Sequence, residues 1–92
     1  MEIREGSKRF FIGEDENEPI AEIVYSYKDK NVIVIESTFV AESLRGQNIA
    51  ARLLEKVISK ARSDGLKIIP KCSYAEKVMK KGNKYSDVLF IK

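Results

Sequence analysis

The apolar residues of this chain change their spacing once, around Gly46, and that change restricts the topology more than any other feature of the sequence. After it, Ile49, Ala50, Leu53, Leu54, Val57, Ile58 and Ala61 recur at three- and four-residue intervals, which is the period of one helical face. The spacing predicts a helix over residues 48–63. Arg52, Lys56, Lys60 and Arg62 fall off the apolar stripe, and Gly65 stands where helices commonly end in a left-handed residue. Leu66 to Cys72 then reads as a strand. Because it follows a helix that itself follows a strand at Val32 to Val40, it is expected to return parallel to that strand through a right-handed crossover.

Upstream of Gly46 the pattern is that of strands joined by polar turns. Lys8 to Gly13 reads as a short strand, closed by the acidic turn Glu14-Asp15-Glu16-Asn17-Glu18. Ile20 to Tyr27 follows Pro19 as a second strand, with Ala21, Ile23, Tyr25 and Tyr27 on one face. After the turn Lys28-Asp29-Lys30-Asn31, Val32 to Val40 is rich in β-branched residues and apolar on both faces at its start, as a central strand should be. Downstream, Ser73 is expected to cap a second helix through about Lys80, Gly82-Asn83 ends it, and Tyr85 to Ile91 forms a final short element of unassigned type. The fold class is therefore α/β, with an α+β mixed sheet. An antiparallel meander leads into a βαβ crossover and a short C-terminal helical segment, in a single domain over residues 1–92.

Ninety-two residues, 43% of them hydrophobic, suffice for one modest core. One cysteine and no histidine exclude an intrachain disulfide and any zinc site built from Cys/His clusters, so no metal is expected. A lone thiol suits a reducing cytoplasm. No apolar run approaches the roughly 20 residues of a membrane span, and Met1-Glu2-Ile3-Arg4-Glu5 lacks the apolar region of a signal peptide. A cytoplasmic protein, away from membranes, monomeric or weakly homodimeric, is the expectation. The net charge of +3 conceals an asymmetry: residues 1–41 hold 5 Lys/Arg against 9 Asp/Glu, and residues 42–92 hold 12 against 5. The basic part favours a polyanionic ligand, a nucleotide cofactor or a nucleic acid, or is simply a solvated lysine-rich face.

The loop Arg45-Gly46-Gln47-Asn48 between the third strand and the long helix places unpaired backbone N–H groups at the positive end of a helix, where phosphate oxygens are readily held. Gly46 permits close backbone approach, and Asn48 is among the few non-glycine residues that tolerate positive φ. Arg45 adds a possible charge-assisted contact. A glycine before a helix is also often only a turn.

Val40-Ala41-Glu42-Ser43-Leu44-Arg45-Gly46-Gln47-Asn48-Ile49-Ala50-Ala51-Arg52-Leu53-Leu54 resembles motif A of the GNAT acetyltransferase superfamily, Q/R-x-x-G-x-G/A. Arg45 matches its first position and Ala50 its last, while Asn48 stands where glycine is usual. Leu66-Lys67-Ile68-Ile69-Pro70-Lys71-Cys72-Ser73-Tyr74-Ala75 is similar to the strand-to-helix segment of the small YjdJ-like acetyltransferases, which often read Pro-x-Cys-x-Tyr there. Together the resemblances cover residues 20–81. They imply a minimal GNAT fold that binds acetyl-coenzyme A as cosubstrate in a wedge between residues 32–40 and 66–72. The pantetheine is expected against the backbone of Phe39 and Val40. The pyrophosphate is expected at Arg45 and the N–H groups of Gly46, Gln47, Asn48, Ile49, Ala50 and Ala51, and the thioester near Cys72.

The implied reaction transfers the acetyl group to an amine, whose identity the sequence leaves open, by direct attack in a ternary complex. Catalytic candidates are Cys72, as a nucleophile or a small buried hydrophobe, and Tyr74, as a proton donor to the leaving thiolate or a packing residue. Ser37 occupies a position where close members often carry histidine, leaving Glu36 or Glu42 as a base acting through water. Two other functions compete: a GNAT-fold protein that binds coenzyme A with little turnover, and a small basic nucleic-acid-binding module. Against nucleic acid, the strand aromatics are interleaved with acidic residues.

Overall fold

The computed structural model describes residues 2–90. They form β1 (Arg4–Gly6), β2 (Arg9–Ile12), β3 (Ala21–Asp29), β4 (Val32–Val40), a single 3-10 turn (Glu42–Leu44), α1 (Ile49–Asp64), β5 (Lys67–Pro70) and α2 (Ser73–Met79). The five strands make one sheet in the order β1-β2-β3-β4-β5. The first three junctions are antiparallel, and β4 and β5 pair in parallel with α1 between them in sequence. This is the mixed α/β sheet of a meander followed by a βαβ unit that the pattern predicts. Among the described residues no helix is long and apolar enough to cross a membrane.

Three details depart from the sequence expectation, and a fourth settles an element whose type it left open. β1 is unanticipated: Arg4, Glu5 and Gly6 pair with Phe11, Phe10 and Arg9 across a turn in which Lys8 takes φ 56°. A three-residue polar edge strand carries too little hydrophobic alternation to be read from sequence. β5 ends at Pro70 rather than Cys72, because the N–H groups of Lys71 and Cys72 both turn onto the carbonyl of Ile35. Ser73 does not cap the second helix. Cys72 holds the cap position with extended backbone, and Ser73 is the first helical residue. The segment after α2 runs in turns to Val88. It then docks on the free edge of β5, Ile68 N–H donating to Val88 O and Phe90 N–H to Ile68 O at 2.6 and 2.8 Å. Ile91, the end of that expected element, lies outside the described residues.

A single hydrophobic cluster holds the two layers together. It takes Phe10, Ile12, Ala21, Ile23, Tyr25, Ile33, Ile35 and Ile68 from one face of the sheet, Ile49, Leu53, Leu54, Val57, Ile58 and Ala61 from α1, and Ala75 and Met79 from α2. Full burial of a leucine such as Leu53 contributes about 1.5–3 kcal/mol. Gly65 closes α1 in the left-handed region at φ 69°, donating to Ala61 O as the sequence predicts.

One irregularity in this frame shapes the site. Val24 opposes Ser37 but Tyr25 opposes Ile35, so Glu36 is an extra residue in β4. A bulge of this kind reverses the alternation and increases the local twist. Before it, Ile33 and Ile35 face the helices; after it, Thr38 and Val40 share that face, opposite Ile23 and Ala21. Pairing with β5 ends at the same place, since β4 meets β5 only over Val32–Ile35. Among the described residues no strand lines the β5 side of residues 36–40, so β4 runs on past the end of β5 with an open edge.

Candidate active site

The loop that leaves β4 is built to stop and restart the chain sharply. Leu44, buried at 8% exposure, pins the 3-10 turn to the core, and Ile49, buried at 3%, pins the first turn of α1. Between these anchors Gly46 takes φ 85° and Asn48 takes φ 59°, ψ 27°. The left-handed conformation expected of Asn48 is therefore the one it adopts, and the asparagine performs the turn that glycine performs in the resembling motif. No side-chain hydrogen bond caps α1 at Asn48. The first helical bond is the one Arg52 N–H donates to Asn48 O, so the N–H groups just before it have no helical acceptor and point out of the positive end of the helix.

These residues line a cleft of about 280 Å³ with Val40, Leu44, Arg45, Gly46, Asn48, Ile49, Ala50, Ala51 and Tyr74 on its walls. The expected cofactor residues thus come together around one opening, with Tyr74 arriving from α2. Gln47 and Phe39 are outside this lining. Phe39 lies on the sheet face away from the helices, 47% exposed and opposite Glu22, so its side chain turns away from the cleft. Arg45 folds back toward the end of β4, its Nε 3.4 Å from Val40 O. A Cβ added to Gly46 would meet no protein atom within 4 Å, which leaves the space in front of this glycine open to a ligand.

Cys72 stands between the end of β5 and the start of α2, beside the open edge of β4 and outside the cleft lining. Its Sγ is 3.3 Å from Thr38 Oγ1. Burial pushes the thiol up, but the Thr38 hydroxyl and the N–H groups of Ala75, Tyr74 and Thr38 outweigh it and hold the thiol below its ordinary value. The helix N–H groups act here through their field, since none makes a capping hydrogen bond to the side chain. Burial, with Tyr85 and Cys72 nearby, raises the Tyr74 phenol and keeps it protonated.

The carboxylate candidates fare unequally. Glu36 is pulled below the usual carboxylate range by the Ser26 hydroxyl, which donates to it at 2.6 Å, and by Lys71, whose Nζ is 3.4 Å away. A carboxylate held ionised in this way is a weaker base. Lys71 thus reaches Glu36 rather than Cys72. Ser37 and Glu42 are exposed. Thr38 was not a sequence candidate, because strict alternation through β4 puts it on the wrong face; only the extra residue at Glu36 turns it inward. Of the strand aromatics, Phe10, Phe11 and Tyr25 are buried, while Tyr27 and Phe39 are exposed on opposite faces of the sheet. They form no common stacking platform for nucleic acid.

Comparison with known proteins agrees with this fold. A family model described as GCN5-related N-acetyl-transferase matches residues 9–88. The solution NMR structure of a GCN5-like candidate N-acetyltransferase from Staphylococcus aureus is 43% identical, superimposes with a TM-score of 0.81, and aligns over 97% of this chain and 87% of its own. The crystal structure of a GNAT family acetyltransferase from Elizabethkingia anophelis with acetyl-CoA bound is 28% identical with a TM-score of 0.54, over 67% of this chain and 40% of that one. No curated protein gives a significant match. With the family model spanning most of its length, the chain belongs to the GCN5-related N-acetyltransferase family of acyltransferases.

Proposed function

We propose that this protein binds acetyl-coenzyme A with its pyrophosphate at the Arg45–Ala51 loop and its pantetheine along the open edge of β4, and transfers the acetyl group to an amine by direct attack. The observation that carries the reading is the coincidence of two features at one end of the sheet. The loop cleft with its unpaired N–H groups shares Val40 with the open edge of β4, which begins past Ile35 where β5 ends. The relative from Elizabethkingia anophelis, which holds acetyl-CoA, supports the choice of cosubstrate. The Pro70-Lys71-Cys72-Ser73-Tyr74 segment supports grouping the chain with the small YjdJ-like members, and the free thiol of Cys72 supports a cytoplasmic location.

In this mechanism the neutral amine adds to the thioester carbonyl beside the open edge of β4, where β5 ends. The tetrahedral intermediate collapses by breaking the C–S bond, and the coenzyme A thiolate leaves. Tyr74, kept protonated and lining the cleft, supplies a proton to that thiolate. The amine loses its proton to solvent or to a water-relayed carboxylate; the lowered Glu36 is a poor candidate for that base.

The experiment is a thermal melt with and without acetyl-coenzyme A, followed by a screen of amine acceptors. A ligand that binds only the folded state raises the melting temperature by mass action, and micromolar affinity is expected. No shift at millimolar cosubstrate would remove the central claim, and a shift without turnover on any amine would favour a coenzyme A-binding protein with little catalysis.

A further inference from the structure

Beside the loop cleft lies a second one of about 450 Å³, lined by Tyr74, Lys77, Val78, Lys81, Lys84 and Tyr85. Three of these six residues are lysines and none is acidic. Several lysines elsewhere are neutralised: Lys80 by Glu76 at 3.1 Å, Lys60 by Asp64 at 3.2 Å, and Lys71 by Glu36 at 3.4 Å. Among the described residues, no carboxylate pairs with Lys77, Lys81 or Lys84. Lys84 instead stands 5.2 Å from the centre of the Tyr85 ring. Glu55 accepts the Tyr85 hydroxyl at 3.1 Å but is not among the lining residues. Unneutralised ammonium groups around a concave surface of this size suit a small anionic molecule.

Tyr74 is the one residue that lines both clefts, and its phenol feels Cys72 on one side and Tyr85 on the other. A two-substrate reaction needs the second substrate to arrive where the first one reacts. With the cosubstrate along the loop cleft and the edge of β4, and its leaving sulfur at Tyr74, the concave surface that continues from Tyr74 is the lysine cleft. The groove along α1, lined by Ile3, Ala51, Arg52, Glu55, Lys56 and Ser59, does not include Tyr74. We infer that the lysine cleft binds the acceptor, and that the acceptor is a small amine whose far end carries a carboxylate or a phosphate held by Lys77 and Lys81. The inference rests on the proposed function and gives Tyr74 one place, between the departing thiolate and the incoming amine. Lys77 follows Tyr74 by one turn of α2, and Lys81 stands just past its end. At about 1.5 Å per residue this sets the anionic group roughly 5 to 10 Å from the reacting nitrogen. The anionic end does not react: the nitrogen bonds to the acetyl carbon as the C–S bond breaks. A second ammonium in its place would meet three unpaired positive charges, so diamines are disfavoured.

Amines of matched length test this in the full chain with acetyl-coenzyme A. Aminocaproate and aminohexyl phosphate end in an anion, hexylamine ends in none, and hexamethylenediamine ends in a second cation. Turnover is measured at one fixed ionic strength, because contacts of exposed lysines are salt-sensitive. At least one anionic amine is expected to exceed hexylamine about fivefold in kcat/KM, the worth of two partly solvated ion pairs. The diamine should be the slowest, and the faster of the two anionic amines tells carboxylate from phosphate. A Lys77→Ala/Lys81→Ala variant, altered at two exposed positions, should bring the ratio of anionic amine to hexylamine close to one, while Lys56→Ala should keep it. Equal turnover of anionic and neutral amines by the native protein would overturn the inference. So would a diamine that is the fastest acceptor, a ratio lost in Lys56→Ala, or a double variant that raises the KM for acetyl-coenzyme A and leaves the ratio intact. No turnover of either anionic amine, by a protein that acetyl-coenzyme A stabilises in the thermal melt, would overturn it too and leave the loop as the cosubstrate site. Absence of that stabilisation would remove both proposals.

Discussion

Thr38 Oγ1 and Cys72 Sγ lie 3.3 Å apart, and they meet only because β4 gains one residue at Glu36. Without that bulge Thr38 would face away from the helices. The same irregularity therefore places a hydroxyl against the thiol between β5 and α2.

A hydroxyl that donates to a thiolate stabilises the charged form, so its removal should raise the thiol pKa. Thr38→Val keeps the side-chain shape and deletes the donor. Iodoacetamide alkylation of Cys72, followed against pH, should show its midpoint move upward in the variant, with slower labelling at neutral pH. An unchanged midpoint would mean that the helix N–H groups of Ala75 and Tyr74 hold the thiol down without help from Thr38.

Gly46 and Asn48 give a second test, since both backbones are left-handed but only one is glycine. Gly46→Val must adopt φ 85° with a β-branched side chain or reshape the loop, a cost of about 1–2 kcal/mol. It also fills the space in front of the N–H groups. Its melting temperature should fall by a few degrees and its stabilisation by acetyl-coenzyme A should vanish. Asn48→Gly relieves a mild strain without adding atoms, and should bind at least as tightly as the native chain. Retained binding in Gly46→Val would move the phosphate site elsewhere.

Acid sensitivity follows from Glu36 and Asp87. The Ser26 hydroxyl and Lys71 lower Glu36 from its ordinary 4.5, and Arg62, at 3.0 Å, lowers Asp87 from 3.8. A carboxylate with a depressed folded-state pKa contributes stability that is complete above its unfolded pKa and is lost as pH falls through the folded one. Melting temperature should therefore decline below about pH 5. The Glu36→Gln and Asp87→Asn variants should start slightly lower at neutral pH and decline less steeply. Both groups are well solvated, so the effect should shrink in high salt; identical slopes in the variants and the native chain would rule out these two carboxylates as its source.

The distinction between what the sequence reveals and what it hides runs along one physical line. Periodicity is a property of long regular segments, and α1, β3, β4 and the parallel return of β5 are all legible from it. So is the left-handed pair at Gly46 and Asn48, because local sterics fix which residues can turn there. The bulge at Glu36 is set by pairing with β3, which no local pattern encodes, and with it went the inward turn of Thr38. The short edge strand β1 and the docking of Val88 to Phe90 on β5 likewise depend on partners distant in sequence. The loop site was therefore visible through its own residues, while the surroundings of Cys72 were not.

Cys72 also decides between the two chemical routes. Its lowered pKa increases the thiolate fraction near neutrality, which favours a covalent route more than an unperturbed thiol would. Two features oppose that route. The chain has no histidine to take the proton during attack, and the sulfur is outside the lining of the loop cleft, tied to Thr38 and the start of α2. Direct transfer by the amine is thus expected, and Cys72→Ala should keep most of its turnover with any acceptor that works, losing only some packing. Intact-protein mass spectrometry after mixing with acetyl-coenzyme A, with no acceptor present, should show no rapid mass increase. An acetyl adduct that forms quickly, maps to Cys72 and is discharged by an added amine would replace direct attack with a double-displacement mechanism, in which the Thr38 hydroxyl assists by stabilising the attacking thiolate.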